Sequence, residues 1–324
     1  MRGEHGMDEA ASVRWSEVME GLKTGLDVVL EAIPCGSRIC FVDYPVHRNI
    51  GDLLIMQGAE AFFRANGIEV VARYSLHDCP NVLSLPSGTI VTFHGGGNFG
   101  DLYPAHQHLR ERLTKDNPDR RVVMLPQTVF YRNEVATAST IACMGTHPDL
   151  HIFVRDQGSR ARIAGMLPNA SVALAPDMAH YLWPALYPGQ VPEVYGSPLR
   201  VMRRDREAAG GVGGMDWDDL FPPIERAAIA CFRKAQCTRH LPAATMAGIW
   251  TVYAGLAVAK AVRRYRPHTM VETSRLHGHI LACLMGIPSV VLDNSYGKNS
   301  AYFSLWTHAL PGCSLSGSQQ QRLA

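Results

Sequence analysis

The chain has 324 residues, of which 47% are hydrophobic and 19% charged, with 31 Lys and Arg against 29 Asp and Glu. These proportions exclude a disordered or collagen-like chain and leave room for one large or two medium globular domains. A net charge of +2 without long basic runs argues against a nucleic-acid partner. Eight cysteines with no framework or zinc-ribbon spacing read as reduced packing residues of a cytosolic protein.

The first 33 residues read as a polar leader followed by an amphipathic helix through Trp15, Val18, Leu22, Leu26, Val29 and Leu30. The leader has no apolar segment of the kind a signal peptide needs. An α/β rhythm follows. Strands are predicted at 38–43, 68–74, 89–93, 121–125, 150–154 and 171–175. Helices are predicted at 52–66, 103–116, 133–144 and 157–166. Apolar strands alternating with helices predict a parallel sheet, here a Rossmann-like domain over 34–182.

Residues 183–198 hold Pro184, Pro188, Pro192 and Pro198 and read as a linker. A second Rossmann-like domain is expected over 199–310. Its strands fall at 199–203, 269–273 and 288–293, with a Gly-rich loop at 210–214. Its helices fall at 222–236, 243–265, 275–286 and 298–307, and the polar tail 311–324 is expected to fray. The uncharged stretch 241–259 is nearly long enough to span a membrane. Its Ala, Gly and Thr content favours a buried or half-buried helix, with membrane-surface contact as the other reading. The fold class is therefore α/β, two Rossmann-like domains with a cleft between them. Ligands then belong in the loops after the strands.

Those loops hold the candidate residues. His47 to Asp52 opens a helix; it is either an anion-accepting helix start or a cap by Asp52. FHGGGNFGD (93–101) places three glycines between His94 and Asn98, with Gly96 at their centre. A backbone of that kind can approach a ligand closely. Asp101 either takes a hydroxyl proton or caps the next turn. Gln127 ends the fourth strand and is a candidate sugar hydrogen-bonder. Arg155 ends the fifth strand, where a guanidinium can fork onto a carboxylate or phosphate; the bland alternative pairs it with Asp156. Asp177 ends the sixth strand, with its role open. In SRLHGH (274–279), Arg275 and His277 sit in the first turn of a helix and face an anion, whereas His279 reads as packing. DNSYGKN (293–299) brings Asn294 and Lys298 around a turn at Gly297. No metal-ligand motif occurs, and no metal site is expected.

Taken together, NIGDLLIMQGAEAFF, FHGGGNFGD, FVRDQGS, APDMAHY and above all SRLHGHILACLMGIPSVVLDNSYGKN resemble the polysaccharide pyruvyl transferase family over roughly residues 40–308. The resemblance implies a fold like that of two-domain, Rossmann-type glycosyltransferases. It also implies phosphoenolpyruvate as donor and a pyruvate ketal on a saccharide as product. Arg155, Arg275 and His277 then correspond to donor-binding positions, with His277 holding phosphate or delivering a proton. Asp101 or Asp177 would take the acceptor proton. Asn49, Asp52, His94, Gly96, Asn98, Gln127, Asn294 and Lys298 would line the acceptor side or the cleft. The two arginines, from different domains, would clamp the donor across that cleft. No cofactor besides the donor is implied. The expected partners are phosphoenolpyruvate and a saccharide carried on a lipid, and the expected location is the cytoplasm, peripheral at the inner membrane face. A glycosyltransferase with a nucleotide-sugar donor and a non-catalytic binding protein of an export complex are the competing readings. The N-terminal thirty residues match nothing in the family pattern.

Overall fold

A computed structural model describes residues 9–188, 198–205, 213–295 and 297–316. The leader before Glu9, Pro192, part of the Gly-rich loop, Tyr296 and the last eight residues of the expected tail lie outside the described residues.

Helix α1 (Glu9–Thr24) runs into a 3₁₀ turn (Gly25–Glu31). The first sheet contains β1 (Arg38–Val42), β2 (Glu69–Tyr74), β3 (Ile90–Phe93), β4 (Gly96–Gly100), β5 (Val122–Phe130), β6 (Leu150–Val154) and β7 (Ser171–Leu174). Its order is β2-β1-β3-β5-β6-β7, with β4 pairing the second half of β5, and its pairings are parallel. Helices α2 (Ile50–Ala65), α3 (Pro104–Asp116), α4 (Glu134–Met144) and α5 (Gln157–Met166) make the crossovers. Strands β1 and β3 are buried on both faces, as parallel strands under helices must be.

The second sheet contains β8 (Leu199–Val201), β9 (Val271–Thr273), β10 (Ser289–Val291) and β11 (Ser314–Leu315), in the order β11-β10-β9-β8 and again parallel. Around it lie α6 (Pro223–Thr238), α7 (Ala243–Tyr265), α8 (Leu276–Leu284) and α9 (Lys298–Tyr302), which continues as a π turn to Thr307. The protein is therefore mixed α/β on two parallel sheets. One core runs through both: Phe41, Phe62 and Phe63 belong to the same buried cluster as Trp250, Ile280 and Leu281. A second cluster fills the other face of the first sheet, through Val42, Phe93, Met124 and Ile152.

Three expectations change, and the amphipathic N-terminal helix finds its place. The glycine run is not a loop throughout, because Gly96–Gly100 pairs with β5 as β4. Strand β5 continues through Pro126 to Phe130, so Gln127 is a strand residue. The tail is not all frayed, since Ser314 and Leu315 pair with β10. The N-terminal helix is part of the core: Trp15, Met19 and Leu22 are buried, and the Trp15 indole donates to the Cys283 carbonyl at 3.1 Å. Helix α7 is long and apolar enough to cross a membrane by length and composition. It buries Met246, Trp250, Ala254 and Val258 in the core, and leaves its other side exposed.

Candidate active site

In a parallel sheet all carboxyl ends share one edge. The residues that follow these strands gather around a cleft of about 560 Å³. Asp43 follows β1, and His94 to Asn98 follow β3. Arg203 to Asp205 follow β8, Arg275 and His277 follow β9, and Lys298 comes after β10.

The start of α2 is built for close approach. Asn49, not Asp52, caps the helix: its Oδ1 accepts from the Gly51 N–H at 3.0 Å. Its amide nitrogen donates to Asp52 at 2.8 Å, and His47 stands 3.4 Å from the same carboxylate. Gly51 packs directly on the His277 ring, where a Cβ would lie 2.5 Å from Nδ1. The glycine is therefore the reason a helix start and an imidazole from the other sheet can meet. Burial would raise the Asp52 carboxyl, but His47 and His277 outweigh it and hold the group below its usual value, hence ionised.

The glycine strip does the same on the next strand. Gly96 has φ +125°, a conformation that L side chains rarely adopt. A Cβ on Gly97 would lie 2.6 Å from the Lys298 ammonium nitrogen and 3.7 Å from Nη2 of Arg155. His94 is buried on the cleft wall, and neither ring nitrogen has a hydrogen-bond partner. Burial pushes its pKa down to about 4, so it is neutral. Asn98 donates to Asp43 at 3.1 Å and accepts from Arg110 at 2.8 Å.

Under this strip lies a buried charge cluster. Arg155 and Asp177 are both fully buried and ion-paired with each other. Arg155 also donates to the Thr128 hydroxyl at 2.9 Å, and its carbonyl accepts from the Trp306 indole at 2.7 Å. Asp177 caps the following 3₁₀ turn through Ala179 and stands 3.2 Å from Nε2 of His277. Burial alone would raise the Asp177 carboxyl. His277 and Arg155 prevail, and it stays well below the usual carboxylate range.

On the facing wall, Arg275 precedes α8 and is ion-paired with Asp216, Nη2 donating at 2.8 Å. Asp216 is itself fixed by a capping box at the Trp217–Leu220 turn. Asn294 accepts from the Lys298 N–H at 2.8 Å and so sets the start of α9.

Arg275, His277, Lys298, Asn49, Asp52, His94 and Asn98 therefore meet at one cleft. The expected clamp of two arginines does not form, because Arg155 lies beneath the glycine strip, fully buried, and does not line the cleft. Asp177 supports His277 from behind and likewise stays off the cleft wall. Asp101 holds the segment before α4, accepting from Arg132 and Asn133 N–H groups at 2.6 and 2.7 Å, and is not on the cleft. Gln127 braces the strip by donating to the His94 carbonyl at 2.5 Å. Sequence reading missed the pair of Asp43 and His106, 2.7 Å apart on the wall. The signal was an Asp ending an apolar strand. Its backbone has φ +65°, rare for a residue with a side chain and unreadable in sequence. Asp216 was missed as well, because nothing local announces a partner 59 residues away.

The cleft of this α/β protein gathers cations and histidines at strand carboxyl ends, the residue types that small-anion sites use, and comparisons with known proteins place the chain more narrowly. Residues 49–296 match the family model described as polysaccharide pyruvyl transferase. The chain is 37% identical over 308 residues to EpsO of Bacillus subtilis (strain 168), a provisionally named pyruvyl transferase, covering 92% of this chain and 94% of that protein. It is 29% identical to Pyruvyl transferase 1 of Schizosaccharomyces pombe (strain 972 / ATCC 24843), covering 87% of this chain and 72% of that one. The fold resembles a crystal structure of an uncharacterized protein from Klebsiella pneumoniae subsp. pneumoniae NTUH-K2044. The TM-score is 0.60 at 20% identity, over 91% of this chain and 98% of that one. The chain belongs to the polysaccharide pyruvyl transferase family.

Proposed function

We propose that this protein transfers the pyruvyl group of phosphoenolpyruvate to a saccharide diol, giving a pyruvate ketal and inorganic phosphate, in the building of an exopolysaccharide or cell-surface polysaccharide. The observation that carries the reading is the junction of His277, Gly51, Arg275 and Lys298 at one cleft. The donor has a carboxylate and a phosphate, and needs fixed cations at more than one point. Arg275, oriented by Asp216, and Lys298, seated over Gly97, supply them. The N–H groups at the start of α2 add a partial positive charge.

His277 is the proton donor in this reading. With Nε2 turned to Asp177, Nδ1 is the nitrogen left for a ligand at the start of α2. A proton delivered to the donor's methylene carbon makes C2 an oxocarbenium-like centre. One sugar hydroxyl adds there, the C2–O bond to phosphate breaks, and a second hydroxyl closes the ring. The base role assigned to Asp101 or Asp177 passes to Asp52, which is ionised and on the cleft wall. His94 and Asn98 face the acceptor. We read the two parallel sheets as two Rossmann-like units, the first on the acceptor side and the second on the donor side. The reaction is assigned to the cytoplasm and to no cofactor besides the donor.

Calorimetric titration with phosphoenolpyruvate, with and without saccharide diols, tests the reading. Binding in the micromolar-to-millimolar range is expected, weakened at least tenfold by Arg275→Ala and by His277→Ala. A donor that fails to bind under either condition would overturn it.

A further inference from the structure

The hairpin of α6 and α7 carries a surface that the cleft does not use. Residues 226–271 hold eight of the chain's 31 basic residues and none of its 29 acidic ones, so the remainder carries 23 basic against 29 acidic. Glu225, just before this stretch, is engaged inside the hairpin, accepting from Lys260 at 2.6 Å and Tyr253 at 2.8 Å. The outer side of α7 exposes Ile249, Val252 and Leu256 at 51%, 68% and 63%. Their spacing puts them on one helical face. Leu241, 51% exposed, precedes them. Arg263 continues that face seven residues beyond Leu256, with Arg264 and Arg266 exposed beside it.

We propose that this face docks on an anionic lipid bilayer, with α7 lying in the headgroup plane. An apolar stripe flanked by cations is the composition such interfacial helices have. The helix cannot cross the bilayer while its opposite side, Trp250 and Ala254 included, is buried in the protein core. A second copy of the chain is a poor occupant. In a two-fold pairing along α7, cations face cations whether the helices run parallel or antiparallel, because Arg239 stands at the other end. Arg226 and Arg233 of α6 line the cleft, so a docked hairpin holds the cleft beside the headgroups. That geometry suits an acceptor carried on a lipid. The docking face itself is independent of the donor: failure of phosphoenolpyruvate to bind would leave it standing.

The test is flotation of the full chain with vesicles of phosphatidylcholine alone and of phosphatidylcholine with phosphatidylglycerol. Wild-type protein is expected to float only with the anionic vesicles, and to be released by high salt. Val252→Glu/Leu256→Glu should remain in solution. Arg263→Ser/Arg264→Ser/Arg266→Ser should lose roughly a hundredfold in partitioning, about fivefold per arginine. Circular dichroism and thermal midpoints of both variants check that they fold, and the salt release needs no variant. Wild-type protein that stays in solution with anionic vesicles would overturn the proposal. So would a concentration-dependent dimer in analytical ultracentrifugation that Val252→Glu/Leu256→Glu dissolves, which would make the face a contact between copies.

Discussion

Asp177→Asn tests whether the buried pair behind His277 is held together by charge. The substitution keeps the shape of the side chain, and an amide oxygen can still accept from Ala179. It removes the only carboxylate that the described contacts give to Arg155, which is fully buried. An unpaired buried guanidinium costs about 3–5 kcal/mol, out of a total stability of about 5–15 kcal/mol. Equilibrium urea denaturation near neutral pH should show the midpoint falling by about a fifth or more. The double variant Arg155→Met/Asp177→Asn removes both charges and should recover at least about 2 kcal/mol of that loss, because a neutral pair has no charge to compensate. The pH dependence has a definite sign. The folded carboxyl lies below its unfolded value of about 4. Its contribution is therefore complete above about pH 4 and is lost as the pH falls further. The acid limb of the variant should be correspondingly shallower. A single variant that loses under about 1 kcal/mol, or a double variant no more stable than the single, would refute the account of Arg155 and Asp177 as a mutually dependent buried pair.

Three further outcomes are expected. Burial holds His94, and His180 in the 3₁₀ turn after Asp177 with its Nε2 2.9 Å from the Tyr302 hydroxyl, near pKa 4 in the folded protein. Both fall below an unfolded value of about 6.5, so stability is complete above that pH and declines toward pH 4, by roughly 2 kcal/mol per histidine at pH 5; urea midpoints that stay flat from pH 7 to 5 would contradict this. Gly51→Ala drives a Cβ to within 2.5 Å of the His277 ring and should weaken phosphoenolpyruvate binding at least tenfold in calorimetry, with Gly21→Ala, which has open space, as the unaffected control. Trp15→Ala should destabilise the chain by about 3–5 kcal/mol in chemical denaturation, because the indole is fully buried and bonded to α8; a loss near zero would mean the first helix is an appendage.

How much of this could be read in the sequence depended on how local each cause is. Strand and helix positions in the first sheet follow from apolar runs and their punctuation, and α5 and α7 fall where periodicity put them. The glycine strip was expected to approach a ligand as a loop, and its pairing with β5 was not foreseen, since three glycines have no side-chain alternation to betray a strand. Arg275 and His277 were legible because a strand end and a helix start sit side by side in the chain. Arg155 shares that local signature, yet it is buried under the strip. Sequence tells which strand end a guanidinium follows, and not whether another strand covers it. Asp216 and the role of α1 are contacts across 59 and 268 residues, which no local pattern carries.

The charges on the cleft explain how a site rich in arginine can be selective. Arg275 is held by Asp216, its Nη2 donating at 2.8 Å, while Arg204 and Arg48 lie 2.9 and 3.2 Å from the carboxylates of Asp219 and Asp218. A guanidinium without such a partner would attract any anion from any direction. A paired one contributes less net charge but presents its remaining edge in a set direction, so what it selects is geometry. The same logic applies behind the cleft, where Arg155 and Asp177 neutralise each other and leave His277 in a fixed orientation against Gly51. Binding strength then rests on simultaneous engagement of Arg275, Lys298 and the start of α2. An anion with a single charged group can satisfy only one of these points. A molecule with a carboxylate and a phosphate on one carbon can satisfy several at once, and for that reason inorganic phosphate should compete poorly with phosphoenolpyruvate at this cleft.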